Sequence, residues 1–292
     1  MSDWPVGLST GCFYLKSIFE CLDSIRASGF SQIEVCSSPA HLDYHDIVSV
    51  RRVTERLSAL GIEPYSFHAP FAEHIDITSP DAEKRDRSLK ELLAAVEAAA
   101  ELRARYFVIH PGPEETNLPS GEERTQRLAN AAIALGVVAE RCWQLGMMCV
   151  LENKLPHLLF GDIRNMMWIL GAMTTTHVGT CLDTGHAHLA GDLWNAPHKL
   201  AASLKMIHAS DNKGRHDDHL PPGEGEIDWL RLFRQLHVSG FHGSIIVEIA
   251  GKGETHQILD SAQRAHRFLR DSEWASLNIL RREQALTSRG WD

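Results

Sequence analysis

Residues 178–186 read VGTCLDTGH, a short apolar stretch that ends in an aspartate and, three residues later, a histidine. Seven other stretches are as short and as rich in Val, Ile, Phe or Leu, with polar, Gly or Pro residues at their borders. Such stretches are typical of strands that are buried on both faces. The eight predicted strands cover residues 6–9, 32–36, 64–67, 106–109, 147–151, 178–182, 205–209 and 244–249.

The segments between the predicted strands have helical periodicity. In residues 81–104, for example, Leu92, Val96 and Ala100 recur on one helix face, and Ser79 and Pro80 suit the N-cap and the first turn. Strands that alternate with helices predict a parallel sheet, and eight such units close into a (β/α)8 TIM barrel of about 250 residues. The length of the chain, 292 residues, accommodates one such barrel.

We therefore predict an α/β fold with a single domain over residues 1–292. The barrel is expected over about residues 6–271, and an extra C-terminal helix over about residues 272–292, packed on the barrel through Trp274 and Leu277. A doubly wound sheet is the alternative fold, but it normally carries a G-x-G-x-x-G turn after its first strand. Residues 9–13 read STGCF instead, which favours the barrel.

The composition bears on the kind of partner. The chain carries 29 Lys and Arg against 38 Asp and Glu, a formal net charge of −9. This balance argues against a polyanionic partner, because nucleic-acid binding depends on clustered Lys and Arg. No apolar stretch reaches the roughly 18 residues of a membrane span, and the N-terminus has no apolar signal segment, so we expect a cytoplasmic protein without a membrane partner.

Histidines and acidic residues stand at the carboxyl ends of successive predicted strands. They are His68, His110, Glu152, Asp183, His208 and Glu248 on strands three to eight, and Glu34 lies within strand two. In a barrel these ends converge on one rim, where desolvated carboxylates repel one another unless cations lie between them. Imidazole nitrogen together with carboxylate oxygen suits Zn or Mn better than Ca or Mg. The pattern predicts a catalytic divalent-metal centre with open coordination positions.

The same segments resemble the xylose isomerase-like TIM barrels, which include sugar isomerases and epimerases and the endonuclease IV family of DNA repair. The motifs are HAP at 68–70, HPG at 110–112, EN at 152–153, CLDTGHA at 181–187, HASDNK at 208–213 and GEG at 223–225, and the resemblance spans about residues 6–250. The resemblance implies up to three metal ions. Their ligands would be His68, His110 and Glu152; Glu152, Asp183, His208 and Glu248; and His186, Asp217 and His219.

The chain departs from both branches of this group. Where endonuclease IV has a large aliphatic residue that enters DNA, Ala72 stands after Phe71, and Asp218 takes the place of an arginine. Both changes disfavour duplex DNA, because a methyl group cannot separate bases and a carboxylate repels phosphates. The ketose 3-epimerases have a further Glu shortly after the one on strand five, where this chain reads LPHLL at 155–159. Residues 218–228, DHLPPGEGEID, are similar to the broader sugar phosphate isomerase/epimerase-like group.

From the metal pattern and the resemblance we expect an isomerase or epimerase of a small sugar, polyol or sugar phosphate. It would use one to three Zn or Mn ions and transfer a proton through a metal-stabilised enediolate. The candidate residues are Glu152 and Glu248 as acid and base, Lys154 and Lys213 for steadying an oxyanion or phosphate, and Glu34, Phe71 and Glu224 for substrate contact.

Two alternative functions are open at this point. One is endonuclease IV-like incision of apurinic or apyrimidinic DNA with three zinc ions, which the complete set of nine ligands favours and the net charge of −9 opposes. The other is a barrel that binds a metal or a sugar without catalysis, although such a protein needs no cluster of this kind. The sequence also leaves the oligomeric state open, a homo-oligomer included.

Overall fold

Eight parallel strands close into one barrel in the computed structural model, which describes residues 4–114 and 118–288. Each strand pairs with the next along the chain, and the last pairs with the first. The predicted (β/α)8 TIM barrel is thus confirmed. The strands are β1 (Val6–Ser9), β2 (Gln32–Cys36), β3 (Glu63–His68), β4 (Tyr106–Ile109), β5 (Met148–Glu152), β6 (Val178–Asp183), β7 (Leu204–Ala209) and β8 (Ser244–Val247).

Helices surround the barrel. They are α1 (Leu22–Ala27), α2 (Ile47–Leu60), α3 (Ala82–Glu101), α4 (Gly121–Gln144), α5 (Ile163–Ala172), α6 (Thr184–Leu189), α7 (Ala196–Lys199), α8 (Trp229–Val238) and α9 (Thr255–Ser288), with short 3-10 helices at Thr10–Phe13 and Ile18–Glu20. In the described ranges, no helix combines the length and the apolar character that crossing a bilayer requires.

The start of α3 differs from the prediction. Its N-cap is Asp81, whose carboxylate accepts hydrogen bonds from the backbone N–H groups of Glu83 and Lys84. Ser79 and Pro80 precede the helix. The carboxylate satisfies two backbone donors of the first turn at once and carries a negative charge at the positive end of the helix dipole. These two effects favour Asp81 over the serine as the N-cap.

The interior of the barrel is filled by a small apolar cluster. Its members include Val150, Cys181, Met206 and Ile246, all fully buried. Side chains two residues apart on a strand point to the same face. The residues two positions further along the chain therefore lie above this apolar layer, on the same interior face. They are Glu152, Asp183 and His208 on β5, β6 and β7, and Glu248 directly after β8.

The C-terminal extension is the continuation of the helix that follows β8, since α9 runs without a break over 34 residues. The prediction that Trp274 packs on the barrel is wrong, because this side chain is 63% exposed. The residues that α9 buries around it are Leu269, Glu273 and Ser276, which recur at helical spacing and leave Trp274 on the opposite face. Residues 289–292 of the predicted extension lie outside the described residues.

The contact between β7 and the segment before β8 leaves no room for a side chain at Gly243, where a Cβ would overlap the backbone carbonyl of Lys205. We expect Gly243→Ala to lower the free energy of unfolding by about 1–3 kcal/mol, because the two segments must separate. Gly136→Ala is the matched control, since its Cβ meets no atom within 4 Å. In α4 it should stabilise by about 0.5–1 kcal/mol. Urea unfolding measures both, and equal midpoints would contradict the expectation.

Candidate metal centre

The nine predicted metal ligands come together at the carboxyl ends of the strands. They form three groups within which the ligand atoms all lie within 4.8 Å of one another. Glu152 belongs to two of the groups and so joins them. The groups are His68, His110 and Glu152; Glu152, Asp183, His208 and Glu248; and His186, Asp217 and His219.

The central group contains two buried polar atoms that lack a hydrogen-bond partner among the described residues, His208 Nδ1 and Glu248 Oε2. They face each other at 3.0 Å, and His208 Nδ1 lies 3.2 Å from Glu152 Oε1. Ligand atoms about 3 Å apart fit around an ion that binds each at roughly 2.0–2.2 Å. Buried polar atoms normally have partners, so this arrangement fits a divalent ion.

In four of the candidate histidine ligands, the ring nitrogen opposite the one that faces the central ligands has a partner outside the ligand groups; these histidines are His68, His110, His186 and His208. Such contacts fix the tautomer and the orientation of a metal-binding imidazole. His68 Nδ1 lies 2.9 Å from the Ala69 carbonyl, and His186 Nδ1 lies 2.9 Å from the Asn153 carbonyl. The remaining nitrogens, the Nε2 atoms of His68 and His186, face Glu152 at 3.2 Å and Asp217 at 3.4 Å.

Burial and mutual repulsion act on the carboxyl groups of the central cluster. Burial, together with the charges of Glu248 and Glu152, raises the pKa of Asp183 to about 6, and the His186 ring only partly offsets this. Burial acts in the opposite direction on His208, but the surrounding acidic groups outweigh burial and raise its pKa well above its usual value. In the metal-free protein, protons on the imidazoles thus balance part of the negative charge.

The loop that carries Asp217 and His219 is organised by Asp211. This side chain is fully buried and accepts four N–H bonds, from the backbone of Asn212, Gly223 and Ile227 and from the Trp229 indole, at 2.8–3.1 Å. A buried carboxylate with four donors fixes the course of the chain between β7 and α8. The sequence analysis did not identify this role of Asp211, because the four donors are spread over 18 residues and form no recognisable motif.

A cavity of about 680 Å³ opens above the candidate metal ligands. Glu152 and Glu248 lie in its wall, as do Phe71 and Lys252. The Phe71 ring is 54% exposed, and its centroid lies 5.0 Å from that of His110. A groove of about 700 Å³ lies between α3, α4 and residues 172–175, and none of the candidate ligands line it. The cavity at the strand ends is therefore the candidate functional site.

The structure does not bring every candidate residue to this cavity. Lys213 is exposed and does not line it. Glu224 lies outside as well, 48% exposed and 3.4 Å from Arg264. Both residues are in the loop between β7 and α8, whose course Asp211 sets, and there the family motif gives no direction for the side chains.

Two further candidates are buried. Lys154 is 1% exposed, and its ammonium group is bonded to the Gly112 carbonyl at 2.9 Å and to Glu114 at 2.8 Å. Glu34 is fully buried beneath His208, with Oε2 2.9 Å from His208 Nε2 and further bonds from Ser9 and Ser66. Such a position leaves Glu34 without a face toward the cavity, so we reassign it from substrate contact to orienting His208.

Residues 22–272 match the family described as Xylose isomerase-like TIM barrel. The chain belongs to this family. An uncharacterised protein of Methanocaldococcus jannaschii is 27% identical over 256 residues, 84% of each chain. The probable endonuclease 4 of Mycoplasmoides gallisepticum is 25% identical over 241 residues, 77% of this chain and 73% of that one. The ketose 3-epimerase of Arthrobacter globiformis is 25% identical over 245 residues, 82% and 80%.

Solved structures show the same fold across the family. The crystal structure of a D-tagatose 3-epimerase-like protein superposes with a TM-score of 0.82 over 94% of this chain and 99% of the other, at 22% sequence identity. At this level of identity the superposition establishes a shared architecture, while the chemistry must be argued from the site itself.

Metal binding should release protons. In the metal-free protein burial lowers the pKa values of His68, His186 and His219, but neighbouring carboxylates outweigh burial and raise them to about 9, 10 and 10. At pH 7 these rings carry protons that an ion must displace, so affinity should rise with pH until about pH 9–10. Titration calorimetry with Zn²⁺ in buffers of different ionisation enthalpy measures the release. A heat that does not depend on the buffer would contradict this expectation.

The assignment of Glu34 predicts an effect on metal affinity. Glu34→Gln keeps the shape and one acceptor for His208 Nε2 but removes the charge that makes the imidazole a stronger ligand, so zinc affinity should fall about 10–100-fold. Competition with a chromophoric chelator measures it. Glu63→Gln, at the opposite end of the barrel, is the control. Unchanged zinc affinity would contradict the assignment of Glu34 to orienting His208.

Proposed function

We propose that the protein is a divalent-metal-dependent isomerase or epimerase acting on a small sugar, polyol or sugar phosphate. The observation that carries the proposal is the central cluster of Glu152, Asp183, His208 and Glu248, two members of which line a cavity of about 680 Å³. Sites for small molecules usually measure about 300–1,000 Å³. The cavity therefore suits a sugar of ordinary size better than a duplex.

The comparisons support a sugar substrate. One relative of similar length is a ketose 3-epimerase, and the fold is that of a D-tagatose 3-epimerase-like protein. The fold alone does not determine an activity, so the argument depends on the combination of these likenesses with the ligand cluster in this chain.

Glu248 is the better placed of the two candidate bases. Its side chain is 21% exposed and lies in the cavity wall, and its Oε2 has no hydrogen-bond partner among the described residues. Glu152 is 2% exposed, and its two oxygens are shared among His68, His110 and His208. Glu152 is therefore suited to join the ligand groups, and Glu248 to exchange a proton with the substrate.

The cavity also provides what a sugar needs besides an acid and a base. Tyr14 and Phe71 expose aromatic surface, about half of each side chain, beside polar groups that include Lys252 and Asp218. Apolar walls with a few polar groups orient small substrates. A divalent ion held by the central cluster would bind adjacent hydroxyl and carbonyl oxygens and stabilise the negative charge of an enediolate.

Proton exchange at the α-carbon of a sugar tests the proposal. In D₂O with Mn²⁺ or Zn²⁺, we expect the protein to exchange this proton in at least one member of a panel of sugars and sugar phosphates, as measured by NMR. Glu248→Gln should slow the exchange about 10²–10⁴-fold. Glu55→Gln, on the exposed face of α2, should leave it unchanged. A metal-loaded protein that exchanges no member of the panel contradicts the proposal.

Incision of abasic DNA is the second candidate function. It is favoured by one observation, the assembly of all three ligand groups, and by the endonuclease 4 relative. Ala72 and Asp218 lie in the cavity wall and oppose it, since neither suits a bent DNA backbone. Incision of an oligonucleotide with one abasic site, together with absence of sugar exchange, would decide for this second function.

A further inference from the structure

The ammonium group of Lys154 has no hydrogen left for a substrate. Its acceptors are the backbone carbonyls of Gly112 and Pro113 and the carboxylate of Glu114, which lies 2.8 Å away. A lysine ammonium has three N–H donors, so three acceptors use all of them. Although Lys154 lines the cavity, it is 1% exposed and directed into the loop after β4. A direct contact with an oxyanion or phosphate would require breaking one of these bonds.

Glu114 links this lysine to a candidate metal ligand. The same oxygen that faces Lys154, Oε1, lies 2.8 Å from His110 Nδ1. A carboxylate at that distance accepts a hydrogen bond from Nδ1, which makes Nε2 the ring nitrogen available to an ion. His110 Nε2 is directed at Glu152 Oε2, 3.5 Å away, in the group with His68. The chain of contacts thus runs from Lys154 through Glu114 to the face of His110 that would bind an ion.

The surrounding backbone fixes the position of this chain of contacts. A Cβ at Gly112 would lie 2.9 Å from the Phe160 ring, so the loop after β4 packs directly on the loop after β5. Lys154 lies at the start of the second loop and bonds to the first. It therefore connects two loops, each of which carries or adjoins a ligand, His110 in one case and Glu152 in the other.

We propose that Lys154 and Glu114 are positioning residues that set the tautomer and orientation of His110, and thereby the affinity of the His68–His110–Glu152 group for its ion. The proposal rests on the metal centre of the proposed function but not on its substrate. Lys154 neutralises the charge of Glu114, so the pair orients the imidazole without adding net negative charge to the cluster. Partners of this kind are worth about 10–100-fold in metal affinity.

The test compares ion binding by purified variants in equilibrium dialysis against buffered free Zn²⁺, with metal counted by mass spectrometry. Glu114→Ala and Lys154→Met should each weaken the binding of one ion about 10–100-fold and leave any others unchanged. Glu114→Gln should weaken it less, because the amide oxygen still accepts from Nδ1. Lys213→Met, an exposed lysine outside the cavity, is the matched control and should bind as the wild type does.

A second measurement separates orientation from general loss of structure. In the zinc-loaded wild type, nitrogen NMR of the His110 ring should show a proton on Nδ1 that exchanges slowly, and this signal should broaden or disappear in Glu114→Ala. Glu114 is partly exposed, so its variants test the proposal even if Lys154→Met does not fold.

The outcomes distinguish the two proposals. If the wild type binds ions and Glu114→Ala binds them with equal affinity, the positioning role is overturned while the metal centre stands. If the wild type binds no ion, the metal centre itself fails, and with it both proposals. Loss of substrate turnover at unchanged ion affinity would instead return Lys154 to direct contact with the substrate.

Discussion

The close approach of three carboxyl groups is the constraint on which the rest of the structure depends. Two of them, Glu152 and Asp183, are buried, and the third, Glu248, is 21% exposed. Their carboxyl oxygens lie within 4.8 Å of one another and of His208, at the closed end of a cavity. Negative charges at that spacing away from water are unfavourable unless positive charge lies between them. Without an ion, protonated imidazoles and a raised pKa at Asp183 balance the charge. A divalent ion would supply the same balance and free those protons, which would couple occupancy of the site to pH.

The two-residue period of side chains along each strand brings the carboxyl groups and His208 to the same end of the barrel interior. Each central ligand stands two residues after an interior apolar residue, as Glu152 does after Val150 and His208 after Met206. The apolar layer closes the barrel below the ligands, and the ligands share its face. A slip of one residue in register would turn a ligand toward the surrounding helices and bring an apolar side chain into its place. The same alternation of side chains along each strand thus fills the barrel interior and places the charged cluster away from water.

The two-residue period of the strands explains how much of the fold and of the candidate site could be predicted from the sequence. Apolar stretches predicted the bounds of β1, β2 and β4 as the structure has them. The residues at the strand ends predicted a metal centre, whereas the division into three ligand groups was implied by the family resemblance. Directions of side chains outside the period were not predictable. Trp274 faces solvent by its helical phase, and Lys154 turns to a loop distant in sequence. Glu34 lies on β2, but its contact with His208 on β7 exists only in the closed barrel. Glu114 stands four residues after His110, a spacing that could have suggested a pair, but the loop between them has no regular structure on which spacing arguments rest.

The candidate ligand groups fit both proposed functions, so the choice of substrate depends on the rim of the cavity. Among the described residues in its wall, the cationic side chains other than histidine are Lys154 and Lys252, and Lys154 is already fully bonded. Asp218 and Glu114 add negative charge there. A DNA backbone needs several cationic contacts to hold its phosphates, whereas a sugar needs a few directional hydrogen bonds and an apolar wall. The rim of this barrel supports the proposed sugar substrate, because Tyr14 and Phe71 supply an apolar wall and Glu248 faces the space between the candidate metal ligands and solvent.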